Sequence, residues 1–277
     1  LKTGIFSLIG LSNYYLIRYS TDYFANPTDL NPFVHTWSLG VEEQFYFIFP
    51  IIIWFSGFSR ELKNSIKNLF YILLFLSIVS FLSFIYFYQV NQPLAYFSMP
   101  TRFWELSSGS LLFLGMRKNF LYLEILKKIY PLPILLLIIG TFLLPLSAAV
   151  PATFLIIILT NILILCLKES SLVFKIITLK PVLYIGSISY SLYLWHWAVL
   201  SLSRWTIGIH WWSIPFQVFV IFFLSSISYK FVETPFRKKS FFIKKWKTLM
   251  FGTGIITTSV ISLFFAAKSN LNKIVYI

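Results

Sequence analysis

Long apolar runs, interrupted at intervals by short polar segments, make up most of the chain. An α-helix rises about 1.5 Å per residue, so about 20 apolar residues cross the ~30 Å hydrocarbon core of a bilayer. Nine such runs are read, at approximately residues 3–18, 37–57, 69–88, 102–116, 131–147, 151–167, 182–203, 212–232 and 248–267. They are continuous rather than alternating, which excludes an outer-membrane barrel. The pattern predicts an all-α fold: a polytopic integral membrane helical bundle of about nine transmembrane helices. The fourth run, RFWELSSGSLLFLGM, is short and polar, and is expected to begin in a cavity. Pro131, Pro133, Pro151, Pro181 and Pro215 stand at the starts of runs, where a missing N–H costs little.

Composition agrees with this pattern. The chain is 58% hydrophobic and 12% charged, with a mean hydropathy of +0.79. A soluble domain carries about 25% charged residues. The net charge of +14 would suggest nucleic acid if it were spread over one face. Instead, 18 of the 23 lysines and arginines fall in alternate loops. These are Lys2; Arg60, Lys63 and Lys67; Arg117, Lys118, Lys127 and Lys128; Lys168, Lys175 and Lys180; and the seven between Lys230 and Lys247. The positive-inside rule makes these loops cytoplasmic, the N-terminus inside and the C-terminus outside. Such basicity signals topology and contact with anionic membrane lipids, with no nucleic acid as partner. Cys166, alone in an apolar run, offers no disulfide and no thiolate metal site. No cleavable signal peptide is expected after Lys2.

Polar residues inside such runs are the candidates for chemistry, because a carboxylate within the membrane costs at least a few kcal/mol. In NPFVHTWSLGVEEQFYFIFP, His35, Thr36, Trp37 and Ser38 sit at the outer mouth of the second run, with Glu42 and Glu43 one to two turns deeper. Ser38, Glu42 and Phe45 or Tyr46 share one helical face, and Leu39 and Glu43 the next. Arg102 and Glu105 enter from the same side, three residues apart and able to pair. A histidine, acids and an arginine at similar depth can act as a general base on a hydroxyl, or Arg102 can simply neutralise Glu42, Glu43 or Glu105. The seventh run, GSISYSLYLWHWAVL, carries Tyr190, Tyr193, Trp195, His196 and Trp197. Here His196 is either a hydrogen-bonded core histidine or a functional one. The eighth ends in YKFVETPFRKK, where Pro235 is expected to interrupt the helix between Glu233 and Arg237. No Gly-rich phosphate loop, Ser-His-Asp spacing or metal-ligand cluster is read.

Four stretches, HTWSLGVEEQFY, RFWELSSGSLL, GSISYSLYLWHW and FVETPFR, resemble in order and spacing the acyltransferase-3 membrane O-acyltransferases. The resemblance spans residues 1–240, with 241–277 expected to hold an extra transmembrane helix and a short extracytoplasmic tail. It implies an enzyme of the bacterial inner membrane that moves an acyl group, expected to be acetyl, from cytoplasmic acyl-CoA to a sugar hydroxyl of an exported glycan. Lipopolysaccharide O-antigen and peptidoglycan are the usual acceptors. No bound cofactor is implied, only the acyl-CoA donor. Family members open with a helix bearing a proposed catalytic histidine, an FFxxSGF-type pattern and a cytoplasmic RxxR motif. This chain opens on LIGLSNYY, which resembles a later helix, so the family pattern is expected to continue beyond it. The last run, Leu249–Ala267, resembles the eleventh helix after which such members continue into an SGNH-type domain, so this sequence is expected to be cut at both ends, without that domain.

The resemblance implies His35, Glu42, Glu43, Arg102 and Glu105 as catalytic on the sugar side. Trp37, Ser38, Trp104, Tyr190, Trp195 and His196 would bind substrate, and Glu233 and Arg237 would meet the CoA phosphates. Two alternatives stay open: a glycan or lipid-linked transporter without chemistry, and an inactive remnant of the acyltransferase. Transporters tend to show internal repeats, and none is read here.

Overall fold

A computed structural model describes residues 2–19, 30–58, 64–117, 121–238 and 245–270. Arg60, Lys63, Lys118, Lys239 and Lys244, which the charge argument uses, lie outside them, as do residues 271–277. Every regular element among the described residues is helical. In chain order they are α1 (Lys2–Leu8), α2 (Ser12–Tyr19), α3 (Trp37–Phe55), α4 (Ser65–Val90), α5 (Gln92–Phe97), α6 (Met99–Arg117), α7 (Leu121–Leu126) and α8 (Pro131–Thr141). There follow α9 (Ala149–Cys166), α10 (Leu172–Ile177), α11 (Lys180–Ser187), α12 (Ser189–Trp205), α13 (Ile214–Ser228), α14 (Thr234–Lys238) and α15 (Lys245–Asn270).

Each apolar run holds helix, but not always as one piece. Among the described residues, four helical stretches are long and apolar enough to cross a membrane: Val34–Phe55, Ser65–Val90, Ala149–Cys166 and Ile214–Arg237. Pro131–Thr141 and Met250–Ser262 are apolar but shorter. The first run, expected as a single helix, breaks into α1 and α2. Gly10 takes φ of +68°, a left-handed conformation that only glycine adopts at no steric cost. The Gly10 amide donates to Ser7 O at 3.3 Å and the Leu11 amide to Phe6 O at 2.9 Å, the paired bonds of a Schellman ending. The seventh run is likewise divided, with Ile188 buried between α11 and α12.

The eighth run corrects a sequence expectation. Pro235 does not interrupt the helix. A π-helical turn at Tyr229–Glu233 carries α13 into α14, with the Thr234 amide reaching back five residues to Tyr229 O. The wider turn seats the proline where its missing N–H breaks no bond. Arg237 therefore still meets Glu233, Nη1 to Oε1 at 3.0 Å.

The helices fall into two compact units. Leu1–Gln44, Asn91–Ser98 and Ser187–Ile277 form unit one, and Phe45–Val90 and Met99–Gly186 form unit two. In unit one, Leu16, Val34 and Phe97 form a buried core, covered by Tyr15, Ile17, Trp37 and Trp197. A polar network ties the same elements together. Asn13 Nδ2 donates to Phe97 O at 3.0 Å, while Gln44 Nε2 donates to Asn13 Oδ1 at 2.9 Å and to Gly10 O at 3.0 Å. The close approach needs Gly40, where a Cβ would sit 3.0 Å from Gly10 O and 3.2 Å from Asn13 Oδ1. In unit two, α4 packs along α6, and α9 packs on α8 and α6. The α4–α6 seam carries small hydroxyls: Ser77 and Ser107 are hydrogen-bonded at 2.6 Å, and the Trp104 amide donates to Ser80 Oγ at 3.1 Å. Small residues that pair their hydroxyls across a seam suit apolar surroundings.

Candidate functional site

In unit one the turn before α3 and the middle of α12 build a compact polar and aromatic cluster. A 3₁₀ turn at Val34–Thr36 feeds straight into α3, so His35 and Ser38 stand one turn apart. On α12, Tyr193 and His196 are three residues apart and share a face. The Tyr193 hydroxyl donates in a short hydrogen bond to His35 O and is paired with Ser38 Oγ at 2.5 Å. One phenol thus fixes the backbone of one candidate and the side chain of another. The His35 ring lies edge-on to Tyr193 and His196, with centroids 5.2 and 5.7 Å away.

The two histidines differ in their bonding. His196 Nδ1 lies 2.7 Å from Tyr193 O and 3.2 Å from Leu192 O, so it carries the hydrogen. With Nδ1 so engaged, Nε2 is the ring nitrogen left to act on a substrate. His35 is only 6% exposed, and neither of its ring nitrogens makes a well-formed hydrogen bond among the described residues. The backbone of Pro32 and Leu194 approaches it at looser geometry. A buried polar group left in this state is unusual and marks a site rather than a core.

The flanks of the cluster are tied to the residues before the turn. Trp197 Nε1 donates to Asn31 O and Ser201 Oγ to Leu30 O, each at 2.8 Å. The Arg204 guanidinium lies 5.4 Å above the Trp197 ring. Trp37 packs edge-on against Phe97 at 5.1 Å and belongs to the core cover. Trp195 is half-buried on α12.

A second group in unit one gathers around Tyr190, which is 50% exposed and close enough to feel the charges of Glu43, Glu233 and Glu42. Ser191 Oγ donates to Glu233 Oε2 at 3.1 Å. Glu43 is seated at the Gly10 turn, where any Cβ would collide with its Oε2. The sequence had assigned Glu42 and Glu43 to the sugar and Glu233 to the CoA phosphates. Tyr190 nevertheless lies within electrostatic reach of all three.

Unit two holds the remaining candidates. Arg102 and Glu105 form the expected pair, bidentate, with Nε to Oε1 at 3.0 Å and Nη2 to Oε2 at 2.5 Å. Trp104 is 7% exposed, its ring among Phe81, Phe84 and Phe154 at 5.0 to 6.2 Å. Among the described residues no group of three His, Cys, Asp or Glu side chains is placed to hold a metal.

Trp197 was expected, with Trp37, Trp104 and Trp195, to stack on sugar faces, whereas Tyr193, Asn13 and Gln44 were not singled out from the sequence as site residues. Tyr193 carried a signal in its three-residue spacing from His196. Asn13 carried another, as a polar residue inside the apolar first run.

The model of the Acyltransferase domain family, acyltransferase-3, matches residues 3–232. The chain belongs to this family. Acyltransferase-3 proteins transfer acyl groups, and the matched segment contains the histidine cluster and the Tyr190 group apart from Glu233. O-acetyltransferase OatA of Staphylococcus aureus (strain NCTC 8325 / PS 47) is 34% identical over 266 residues, covering 87% of this chain and 42% of its own length. Peptidoglycan O-acetyltransferase OatA of Listeria monocytogenes serovar 1/2a is 29% identical, covering 86% of this chain and 40% of its own length. The chain thus spans about two-fifths of the length of these curated relatives. No solved structure gives a significant match.

Proposed function

We propose that the protein is the membrane-embedded acyltransferase part of an O-acetyltransferase, with acetyl-CoA as donor and peptidoglycan as the acceptor glycan. The assembly of His35, Tyr193 and His196 inside the matched acyltransferase segment carries this reading. The names of the relatives favour acetyl and peptidoglycan over other acyl groups and glycans. In the proposed reaction the sugar hydroxyl attacks the thioester carbonyl. A C–O bond forms, the C–S bond breaks, and the hydroxyl proton passes to His196 Nε2 and on to the departing thiolate. His35, held beside His196, donates to the oxyanion, a contribution of about 3 kcal/mol for one well-placed donor. Glu42 and Glu43, and in unit two Arg102 and Glu105, remain candidates for catalytic roles. Trp37, Ser38, Trp104, Tyr190 and Trp195 are candidates for the acceptor, and Glu233 and Arg237 for the donor.

The topology belongs to the same reading. Nine crossings, with the basic loops in the cytoplasm and the chain entering from the inside of a bacterial inner membrane, let a charged donor and an exported acceptor approach from opposite sides. The test is expression of the protein in its natural reading frame, in a host lacking its own peptidoglycan O-acetyltransferase, with base-labile acetate on purified muropeptides as readout. Wild type is expected to acetylate, and His196→Gln to lose at least about 100-fold at unchanged protein level, the usual scale for a general base. Acetylation that survives His196→Gln removes the base assignment. No transfer by well-expressed wild type to any of several glycans favours transport over chemistry.

A further inference from the structure

Unit two contains a cavity of about 300 Å³ that the acyl-transfer reading does not use. Its walls are almost wholly apolar: Phe49 and Ile53 of α3, Leu69 and Leu73 of α4, Phe113 and Leu114 of α6, with Phe58 at one end. Leu73 and Leu114 are buried in its floor, while Phe113 at the rim is 61% exposed. Two of the three helices that line it, α3 and α4, lie in stretches apolar enough to cross a membrane. Pockets of this size take small molecules or a single chain rather than a protein segment.

Two further observations specify what fits. Gly109 lines the cavity in mid-helix, and a Cβ built on it would meet nothing within 4 Å. Glycine in a helix interior costs stability relative to alanine, and neither packing nor backbone conformation requires it here. A side chain at this position would extend into open space beside the cavity wall. At the end of α6, the Arg117 guanidinium lies over the Phe58 ring at 5.9 Å, and no carboxylate pairs with it among the described residues. Lys67, two residues before Leu69 of the wall, adds positive charge in the adjoining sequence. An apolar slot whose end carries an arginine on an aromatic platform matches an aliphatic chain with an anionic head.

We propose that this cavity binds one acyl chain of an anionic phospholipid, with the lipid phosphate held at Arg117. The site is separate from the histidine cluster and does not depend on the acetyl-transfer assignment. Selectivity comes from the two ends acting together. The apolar walls take a chain from any lipid, and Arg117 favours those whose headgroup carries net negative charge. Gly109 keeps the slot open, and any large side chain there fills it.

The experiment uses the full chain in nanodiscs containing a diazirine-tailed phosphatidylglycerol, with crosslinked peptides mapped by mass spectrometry. Crosslinks are expected on the cavity segments 49–58, 69–73 and 109–114. Competition by unlabelled phosphatidylglycerol should exceed that by phosphatidylcholine of the same chain length at least five-fold. Arg117→Gln should abolish this preference while leaving crosslinking in place. Gly109→Phe should reduce crosslinking at the cavity segments at least five-fold without changing labelling elsewhere on the chain. Equal competition by the two lipids in wild type needs no variant and would overturn the headgroup assignment. Labelling spread evenly over all apolar helices, unchanged in a folded Gly109→Phe protein, would reduce the cavity to ordinary lipid-facing surface. Neither result bears on acetyl transfer to muropeptides.

Discussion

Tyr193 holds two candidates far from it in sequence through a single oxygen, which donates to His35 O and pairs with Ser38 Oγ at 2.5 Å. Replacing it with phenylalanine keeps the ring against His35 and removes only the hydroxyl. Tyr193→Phe is expected to lower stability by about 1 to 2 kcal/mol, the scale of one or two lost hydrogen bonds. The loss of acetyl transfer should exceed that, because the His35 backbone and Ser38 are both released. Ser38→Ala should be milder on both counts, since Tyr193 keeps the His35 carbonyl. Thermal unfolding in detergent beside the muropeptide assay separates these effects, and a Tyr193→Phe protein as active as wild type would remove the positioning role. Gly10 offers a second test at this scale. Gly10→Ala meets both the left-handed φ of +68° and the carboxylate of Glu43, and is expected to cost more than 1 kcal/mol. Adding Glu43→Ala removes the collision but not the backbone strain, so the double variant should recover only part of the loss. Full recovery in the same unfolding measurement would show that the turn is not strained. The sequence marked His35, Ser38 and Glu43 as unusual because each is polar in an apolar run. It did not reveal Tyr193 as the link between His35 and Ser38, since a tyrosine in a membrane helix also reads as an interface anchor.

The helices α4 and α6 show how the same chemistry works between elements. Ser77 and Ser107 meet at 2.6 Å in a buried seam, and Ser77 Oγ also donates to Leu73 O at 2.6 Å. Either serine alone replaced by alanine leaves its partner with one fewer bond, at an expected cost of about 0.6 to 1 kcal/mol. The double variant Ser77→Ala with Ser107→Ala should cost little more than either single one, because the shared bond is lost only once. A double-mutant cycle in mixed micelles checks this, and simple additivity would mean that the two hydroxyls do not interact. The polar fourth run was legible as a helix that needs protein around it, and α6 indeed buries Thr101, Ser107 and Trp104. Two elements were less legible. The first run breaks at Gly10 because its apolar residues continue smoothly across a turn that only the backbone reveals. The helix carrying Pro235 continues because a π-helical turn offers a way past proline that a rule about residue pairs does not contain.

For the whole molecule, the charge pattern makes the most direct prediction. With the Cys166→Ala background, a cysteine at Ser147 should react with an impermeant thiol reagent applied from outside, and one at Asn64 should not. Labelling of Asn64 alone would invert the orientation. Cys166 is suited to this substitution because it is a small, fully buried side chain that makes a weak bond to Leu163 O at 3.6 Å. The all-α class, the runs able to form membrane helices and the acyltransferase-3 relationship were determined by sequence alone. They depend on composition, run length and short motifs, which are properties of neighbouring residues. The tertiary structure decided which polar residues share a surface. Residues 35 and 196 lie far apart along the chain, yet their ring centroids come within 5.7 Å, whereas the bidentate Arg102–Glu105 pair, three residues apart on one helix, was already legible as a spacing. Helical periodicity places a side chain on a face, but the identity of the opposing face follows from how helices close on one another, and that is set by packing over the whole chain.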